Sequence, residues 1–218
     1  MKIIGLTGGI GMGKSTASAC FRRHRVPIFD ADQAVHHLQA VGGRAVRPIE
    51  AAFPGTTRGG AVDREALRRA VLGNPAALKI LERIVHPLVR DAEKRFLAAA
   101  RRAGQSLVVL DIPLLLETGG EKRVDLVVVV SAPAAVQAAR VMRRPGMTAE
   151  RLAAIRARQM PDAVKRRRAD VVIHSGLSRQ FAVAGIRRLL RRLRAAGCCG
   201  RSCWIRKLLG SIPSRVIA

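Results

Sequence analysis

Residues 8–15 read Gly8-Gly9-Ile10-Gly11-Met12-Gly13-Lys14-Ser15, the pattern G-x-x-x-x-G-K-[S/T]. An apolar run from Lys2 to Thr7 precedes them and the helix-forming stretch Ser15 to Arg23 follows. A strand, a glycine-rich turn and a helix in that order make a phosphate-binding loop. The glycines let successive backbone N–H groups turn inward around a triphosphate. Lys14 neutralises the terminal phosphates, the Ser15 hydroxyl suits Mg²⁺, and the dipole of the following helix favours the same negative charge.

Outward from the loop, apolar runs place strands near Ile3–Thr7, Val26–Phe29, Leu107–Asp111, Leu126–Ser131 and Val171–His174. Helical stripes alternate with them, as in Val136, Ala139 and Met142 or Ile186, Leu189, Leu190 and Leu193. The expected fold is α/β, a doubly wound five-stranded parallel sheet flanked by helices, of the P-loop NTPase type. About seventy residues with no strand signal separate the second and third strands, far more than one crossover needs. They read as a helical insertion, residues 34–103, in a core made of 1–33 and 104–197. Asp63 reads as an N-cap there and Pro75 as a first-turn proline, with Leu88, Val89, Ala92 and Phe96 on one apolar face. At 218 residues one main core is expected, followed by a basic tail over 198–218.

Forty Lys and Arg against fifteen Asp and Glu give a net charge of +25, which alone suggests a polyanionic partner. Between Arg151 and Ala218, however, seventeen basic residues face only Asp162 and Asp170, so most of the excess is carboxy-terminal. It is nearly all arginine, in the Ala-, Gly- and Arg-rich composition that a GC-rich genome produces. With no tyrosine and a single tryptophan, Trp204, stacking surfaces for single strands or RNA are almost lacking, and no specific nucleic-acid partner is expected. No uncharged stretch of about eighteen apolar residues occurs and the first residues lack a signal-peptide layout, so a cytoplasmic protein without integral membrane association is expected. Cys20, Cys198, Cys199 and Cys203 make no disulfide framework at this length, and adjacent cysteines suit one tetrahedral zinc poorly.

The loop alone does not choose among kinases, ATPases and GTPases. The one asparagine, Asn74, does not sit in Asn-Lys-x-Asp, and no Asp is followed three residues later by Gly, so a GTPase is not expected. Asp30-Ala31-Asp32 follows the second strand, at the carboxyl edge of the sheet beside the loop. Either carboxylate there can accept a proton from an attacking hydroxyl or cap the next helix. Asp111 ends the third strand and can hold Mg²⁺ through water or serve structurally. Lys165-Arg166-Arg167-Arg168 reads as a solvated helix face outside the site.

These stretches together resemble the dephospho-coenzyme A kinase family from Lys2 to about Gly176. The resemblance is carried by Gly5-Leu6-Thr7 through Thr16, Asp30-Ala31-Asp32, Val62-Asp63-Arg64 with Leu67, and Leu81 to Val89 including His86-Pro87. It continues in Asp111-Ile112-Pro113-Leu114-Leu115-Leu116-Glu117, Arg140 with Arg144, and Gln159-Met160-Pro161. It implies transfer of the ATP γ-phosphoryl group to the ribose 3′-hydroxyl of dephospho-coenzyme A. The alternatives are another small-metabolite kinase, for a nucleoside or nucleoside monophosphate, and a nucleic-acid-stimulated ATPase.

By the resemblance the base is Asp32, acting with Lys14 and Arg140. Nucleotide contacts fall to Gly8, Gly9, Ile10, Gly11, Met12, Gly13, Lys14, Ser15, Thr16, Arg140 and Arg144. Acceptor contacts fall to Asp30, Asp32, Arg64, His86, Pro113 and Leu114, and Mg²⁺ to Ser15 and Asp111. Arg140 and Arg144, four apart, are expected on one helical face under a lid of about residues 144–160 that hinges at Pro145-Gly146. His86-Pro87 is expected where the last helix of the insertion begins. Met12 stands where the family has a small residue, and His174 where the last strand commonly ends in Asp. A monomer is expected.

Overall fold

A computed structural model of the protein describes residues 1–195 and the pair Val216–Ile217; the rest of the basic tail, with Cys198, Cys199 and Cys203, lies outside the described residues. Strands β1 (Lys2–Thr7), β2 (Ile28–Asp30), β5 (Leu107–Asp111), β6 (Leu126–Ser131) and β7 (Val171–His174) form the sheet in the order β2-β5-β1-β6-β7. A two-residue strand, β8 (Val216–Ile217), adds to β7 at the edge. Central β1 runs parallel to both neighbours, Ile4 opposite Val109 and Leu126. Strands buried on both faces must be apolar throughout. That is why β5 and β6, Leu-Val-Val-Leu-Asp and Leu-Val-Val-Val-Val-Ser, were legible as unbroken runs and are buried at every position.

All of the sheet except Phe29 and Asp30 of β2 belongs to a unit made of Met1–Ile28 and the chain from Gly104 onward. Helices α1 (Lys14–Arg23) and α9 (Arg179–Ala195) pack on one face. Ala17, Cys20 and Phe21 of α1 share a core with Ile186, Leu189 and Leu190 of α9 and with Ile4, Leu6, Val128 and Ile173 of the sheet. Three further helices complete this unit, α6 (Ala134–Met142), α7 (Ala149–Ala157) and α8 (Asp162–Arg168).

Residues Phe29–Ala103 form a second compact unit, and it has a buried cluster of its own. It contains α2 (Ala31–Gln39), α3 (Val46–Ala52), α4 (Arg64–Val71) and α5 (Pro75–Arg102). Ile49, Phe53, Val62, Leu67, Ala77 and Val85 are its buried centre, with Leu88 and Val89 packed against it. Phe96 of α5 lies against Phe29, ring centroids 5.7 Å apart. As expected, Asp63 caps α4, accepting from the N–H groups of Glu65 and Ala66, and Pro75 opens α5 behind the N-cap Asn74.

Two expectations about the insertion are corrected. It is not helical throughout: β3 (Thr57–Arg58) and β4 (Ala61–Val62) pair antiparallel across Gly59-Gly60, both at positive φ, the geometry of a tight hairpin turn. His86-Pro87 does not begin a helix either, because Pro87 lies inside the 28-residue α5. Proline costs a helix one backbone hydrogen bond. Packing along the rest of this long amphipathic helix outweighs that loss.

Candidate functional site

The phosphate loop leaves the end of β1 and enters α1 at Gly13, whose φ of 91° is a left-handed conformation, and no side chain caps the helix. The first N–H groups of α1 therefore have no intrahelical acceptor and face outward with the positive end of the dipole. Ser15 is exposed in this first turn, and the N–H of Thr16 turns back to Gly13 O at 3.1 Å. Lys14 Nζ lies 2.7 Å from Asp111 Oδ1, and Ser18 Oγ donates to Asp111 Oδ2 at 2.5 Å. Asp111 is only 2% exposed, so the loop lysine meets the acid at the end of the neighbouring strand, and α1 contributes a hydroxyl that sequence reading missed.

The rest of the loop is held from outside. Met12 is buried; its Sδ accepts from Ala132 N–H at 3.1 Å, while its own N–H closes a turn onto Gly9 O. The larger side chain at this position thus packs beside the end of β6. Ser175, the residue after His174, donates from Oγ to Met12 O at 2.6 Å. Arg140 Nη1 donates to Ser175 Oγ at 3.0 Å, and its Nη2 donates to Ser175 O. Arg140 also reaches Gly11 O at 3.5 Å. Arg144 does not share its face, because α6 ends at Met142 with Arg143 as C-cap, leaving Arg144 exposed in the following turn.

Two glutamines grip the peptide groups of Ile10. Gln159 Oε1 accepts from Ile10 N–H at 3.1 Å, and Gln137 Nε2 donates to Ile10 O at 2.8 Å. Arg156 of α7 donates in turn to Gln137 Oε1 at 2.6 Å. Below them Pro113 O accepts from Thr7 Oγ1 at 2.8 Å and from Lys165 Nζ at 3.4 Å, while Leu114 is exposed. Lys165 corrects the expectation of a solvated face: Arg166, Arg167 and Arg168 are exposed, but Lys165 is fully buried and pairs with Glu117 at 2.8 Å. A run of four basic residues hides which one turns inward, and only the acid across from it decides.

In the second unit Asp30 is the N-cap of α2, its carboxylate accepting from Gln33 N–H at 3.1 Å. Asp32 stands exposed in the first turn of the same helix. Arg64 Nη1 lies 3.2 Å from His36 Nδ1, a neighbour that no motif singled out. His86 is exposed on α5, in an open hollow of about 690 Å³ lined also by Lys79, Glu82, Arg83 and Pro87. Another hollow, about 380 Å³ and lined by Arg23, His24, Arg25 and Arg194, opens beside Leu107 at the amino end of β5, the opposite end from Asp111.

Of a hydroxyl at the start of α1 and a carboxylate at the end of β5, both donors are hard oxygens, the type Mg²⁺ prefers. Mg²⁺ keeps several waters and takes phosphate oxygens, so one protein hydroxyl and one water-bridged acid suffice. Both Asp111 oxygens are already engaged, which fits an acid that acts through water. Among the described residues no group of three His, Cys, Asp or Glu side chains could hold a metal alone, and no helix is long and apolar enough to cross a membrane.

Over residues 2–179 the chain matches the model of the dephospho-CoA kinase family. A dephospho-CoA kinase of Paramagnetospirillum magneticum is 66% identical over 166 residues, 76% of this chain and 78% of that protein. One of Mesorhizobium japonicum is 55% identical over 194 residues, 89% of this chain and 98% of that one. A Thermus thermophilus crystal structure superimposes with a TM-score of 0.77 at 36% identity, covering 88% of this chain and 97% of its own. The dephospho-CoA kinase of Campylobacter jejuni gives a TM-score of 0.64 at 26% identity over 88% and 98%.

Proposed function

The chain belongs to the dephospho-CoA kinase family, and from this we infer that it transfers the γ-phosphoryl group of ATP to the ribose 3′-hydroxyl of dephospho-coenzyme A, the final step of coenzyme A biosynthesis. The observation that carries the reading is that the family match spans both the donor loop and the inserted unit. A phosphate loop by itself serves many reactions.

In the reaction the 3′-oxygen bonds to the γ-phosphorus, the bond from that phosphorus to the β,γ-bridging oxygen breaks, ADP leaves, and the hydroxyl proton needs an acceptor. Asp32 is the proposed base. Its support is the family resemblance together with the division of labour at the start of α2, where Asp30 is committed to capping and Asp32 is exposed. Lys14 and the opening N–H groups of α1 hold the terminal phosphates, and Arg140 adds charge at the rim of the loop. Arg144 joins when the lid segment, residues 144–160, folds over the nucleotide and excludes water. Arg64, His86, Pro113 and Leu114 are assigned to the acceptor. Ser15 and, through water, Asp111 would hold Mg²⁺, which when bound neutralises charge on the β- and γ-oxygens. The protein is proposed to work as a cytoplasmic monomer that draws on the ATP pool.

Purified protein with Mg-ATP, offered dephospho-coenzyme A, adenosine or AMP, is expected to add one phosphate mass to dephospho-coenzyme A alone. Phosphorylation of adenosine or AMP instead would reassign the acceptor. Asp32→Asn is expected to cut turnover by about a hundredfold or more with ATP binding nearly intact, and Asp30→Asn, which keeps a cap, is the comparison and should lose much less. Near-normal turnover of Asp32→Asn would move the base elsewhere.

A further inference from the structure

Gln159, Glu117 and Lys165 have no part in the proton and phosphoryl transfers just described, yet one continuous chain of contacts joins them to the donor loop. Lys165 is a fully buried lysine whose ion pair with Glu117 is 2.8 Å long. The same Glu117 oxygen, Oε1, accepts from Met160 N–H at 2.9 Å. Met160 follows Gln159, whose side-chain oxygen accepts from Ile10 N–H at 3.1 Å. A buried charge pair is an expensive way to hold two elements together, since both ions are stripped of water. Hydrophobic residues would close the gap at least as well, so the pair must supply something packing does not, and what it supplies here is a fixed acceptor for a backbone N–H.

That acceptor sets the direction of one side chain. With Met160 N–H fixed, the preceding residue presents its carboxamide to the outer side of the loop. Ile10 has its N–H bonded to Gln159 and its carbonyl bonded to Gln137, so both polar groups of this peptide are engaged by side chains. A loop peptide satisfied from outside has no tendency to rotate its polar groups into the space that the phosphates occupy. Gln159 and Met160 are themselves the anchored end of the lid segment, and Arg156, near the end of α7 in the same segment, bonds Gln137, which is 6% exposed.

We propose that Gln159 is a positioning residue for the donor loop and that the buried Glu117–Lys165 pair is its anchor, acting through Met160 N–H. The proposal rests on the reading of residues 8–16 as the ATP site.

The test is a double-mutant cycle on ATP affinity, measured calorimetrically without acceptor, with dephospho-coenzyme A kinetics recorded beside it. Gln159→Met keeps the length of the side chain and removes its strong acceptor; it is expected to weaken ATP binding about three- to tenfold, the worth of one hydrogen bond. The KM for dephospho-coenzyme A should stay within about twofold, since only the donor side is touched. Lys165→Met should weaken ATP binding by a similar factor in the wild-type background and by less than about twofold when Gln159→Met is already present. Because Lys165→Met leaves a buried acid unpaired, Glu117→Gln/Lys165→Met is the companion variant. It keeps an acceptor for Met160 N–H without a buried charge, and should restore ATP affinity to within about twofold of wild type. ATP binding by Gln159→Met equal to wild type, or additive losses in the cycle, would overturn the proposal. Wild type that binds ATP but leaves dephospho-coenzyme A unphosphorylated would sink the assignment of the acceptor and leave the cycle readable. Wild type that binds no ATP would end both.

Discussion

Gly8→Ala and Gly9→Ala add the same methyl group at neighbouring loop positions, and the structure assigns them different costs. A Cβ on Gly8 would lie 2.7 Å from the carbonyl oxygen of Val130, a separation real Cβ atoms essentially never show. Val130 is 1% exposed and sits opposite Ile173, while the preceding Val129 sits opposite Thr7, so β6 cannot retreat without spoiling two ladders. The loop must give instead, by about 0.7 Å to regain the 3.4 Å of ordinary contact. Overpacking of this kind costs about 1–3 kcal/mol. Loop N–H groups must meet phosphate oxygens at about 2.7–3.2 Å, so a displacement of that size loses hydrogen bonds as well. Two of them, at about 1.5 kcal/mol each to a charged acceptor, amount to roughly a hundredfold in ATP affinity. On Gly9 the added carbon would meet Gln159 Oε1 at 3.3 Å, Gln137 Nε2 at 3.4 Å and Met12 Cγ at 3.5 Å. All three are side-chain atoms that can yield, and the expected cost is below about 1 kcal/mol with a few-fold loss of affinity. Urea unfolding followed by circular dichroism and calorimetric ATP titration measure both quantities. If Gly9→Ala proves as damaging as Gly8→Ala in the two assays, the backbone clash is not what governs this loop.

Asp111→Ala removes the shared acceptor of Lys14 and Ser18 at a 2% exposed position and should cost about 3 kcal/mol of stability; a loss below about 1 kcal/mol in urea unfolding would show that the pair is not a buried contact. Glu50 is held below the usual carboxylate range by Gly55 N–H, Asp63 by Ala66 N–H, and Asp91 by the Arg44 guanidinium. A lowered folded value means that stability is present above the unfolded value near pH 4 and drains away as pH falls through the folded one. Asp63→Asn keeps a capping oxygen but does not titrate, so its melting temperature should fall less steeply than wild type between about pH 5 and pH 3; parallel curves would remove Asp63 from the acid response. Burial raises the Cys20 thiol above its ordinary value, so peptide mapping after iodoacetamide treatment of native protein near pH 8 should find Cys20 unmodified. Prompt alkylation there would mean that α1 opens readily.

Much of this architecture could be read from residues alone because its signals are local. The strands β5, β6 and β7 are apolar up to their last residue, β1 is mostly apolar, and the cap Asp63 sits within three residues of the N–H groups it serves. The second strand begins at Ile28 and not at Val26; Pro27, with no N–H to give a ladder, marks the change. The hairpin β3–β4 has only two residues in each strand, too few for any alternation to emerge. In the site, the loop, Lys14 and Asp111 announced themselves by motif and strand end. Ser175, Gln137 and Lys165 did not, because each acts on residues 48 to 163 positions away, and nothing in a neighbouring stretch records such a partner. Gln159 and Glu117 did stand in stretches that resembled the family, but their resemblance carried no hint of what they touch.

Ser175 bonds Met12 and receives Arg140, and this has an effect during synthesis. The donor loop is among the first segments to leave the ribosome, while the serine that braces it is translated about 160 residues later, some ten to thirty seconds at about 5–20 residues per second. For nearly three quarters of translation, then, the nascent chain carries an unbraced nucleotide loop. Cellular ATP, through its binding, can stabilise only chains in which the last core strand has already been added.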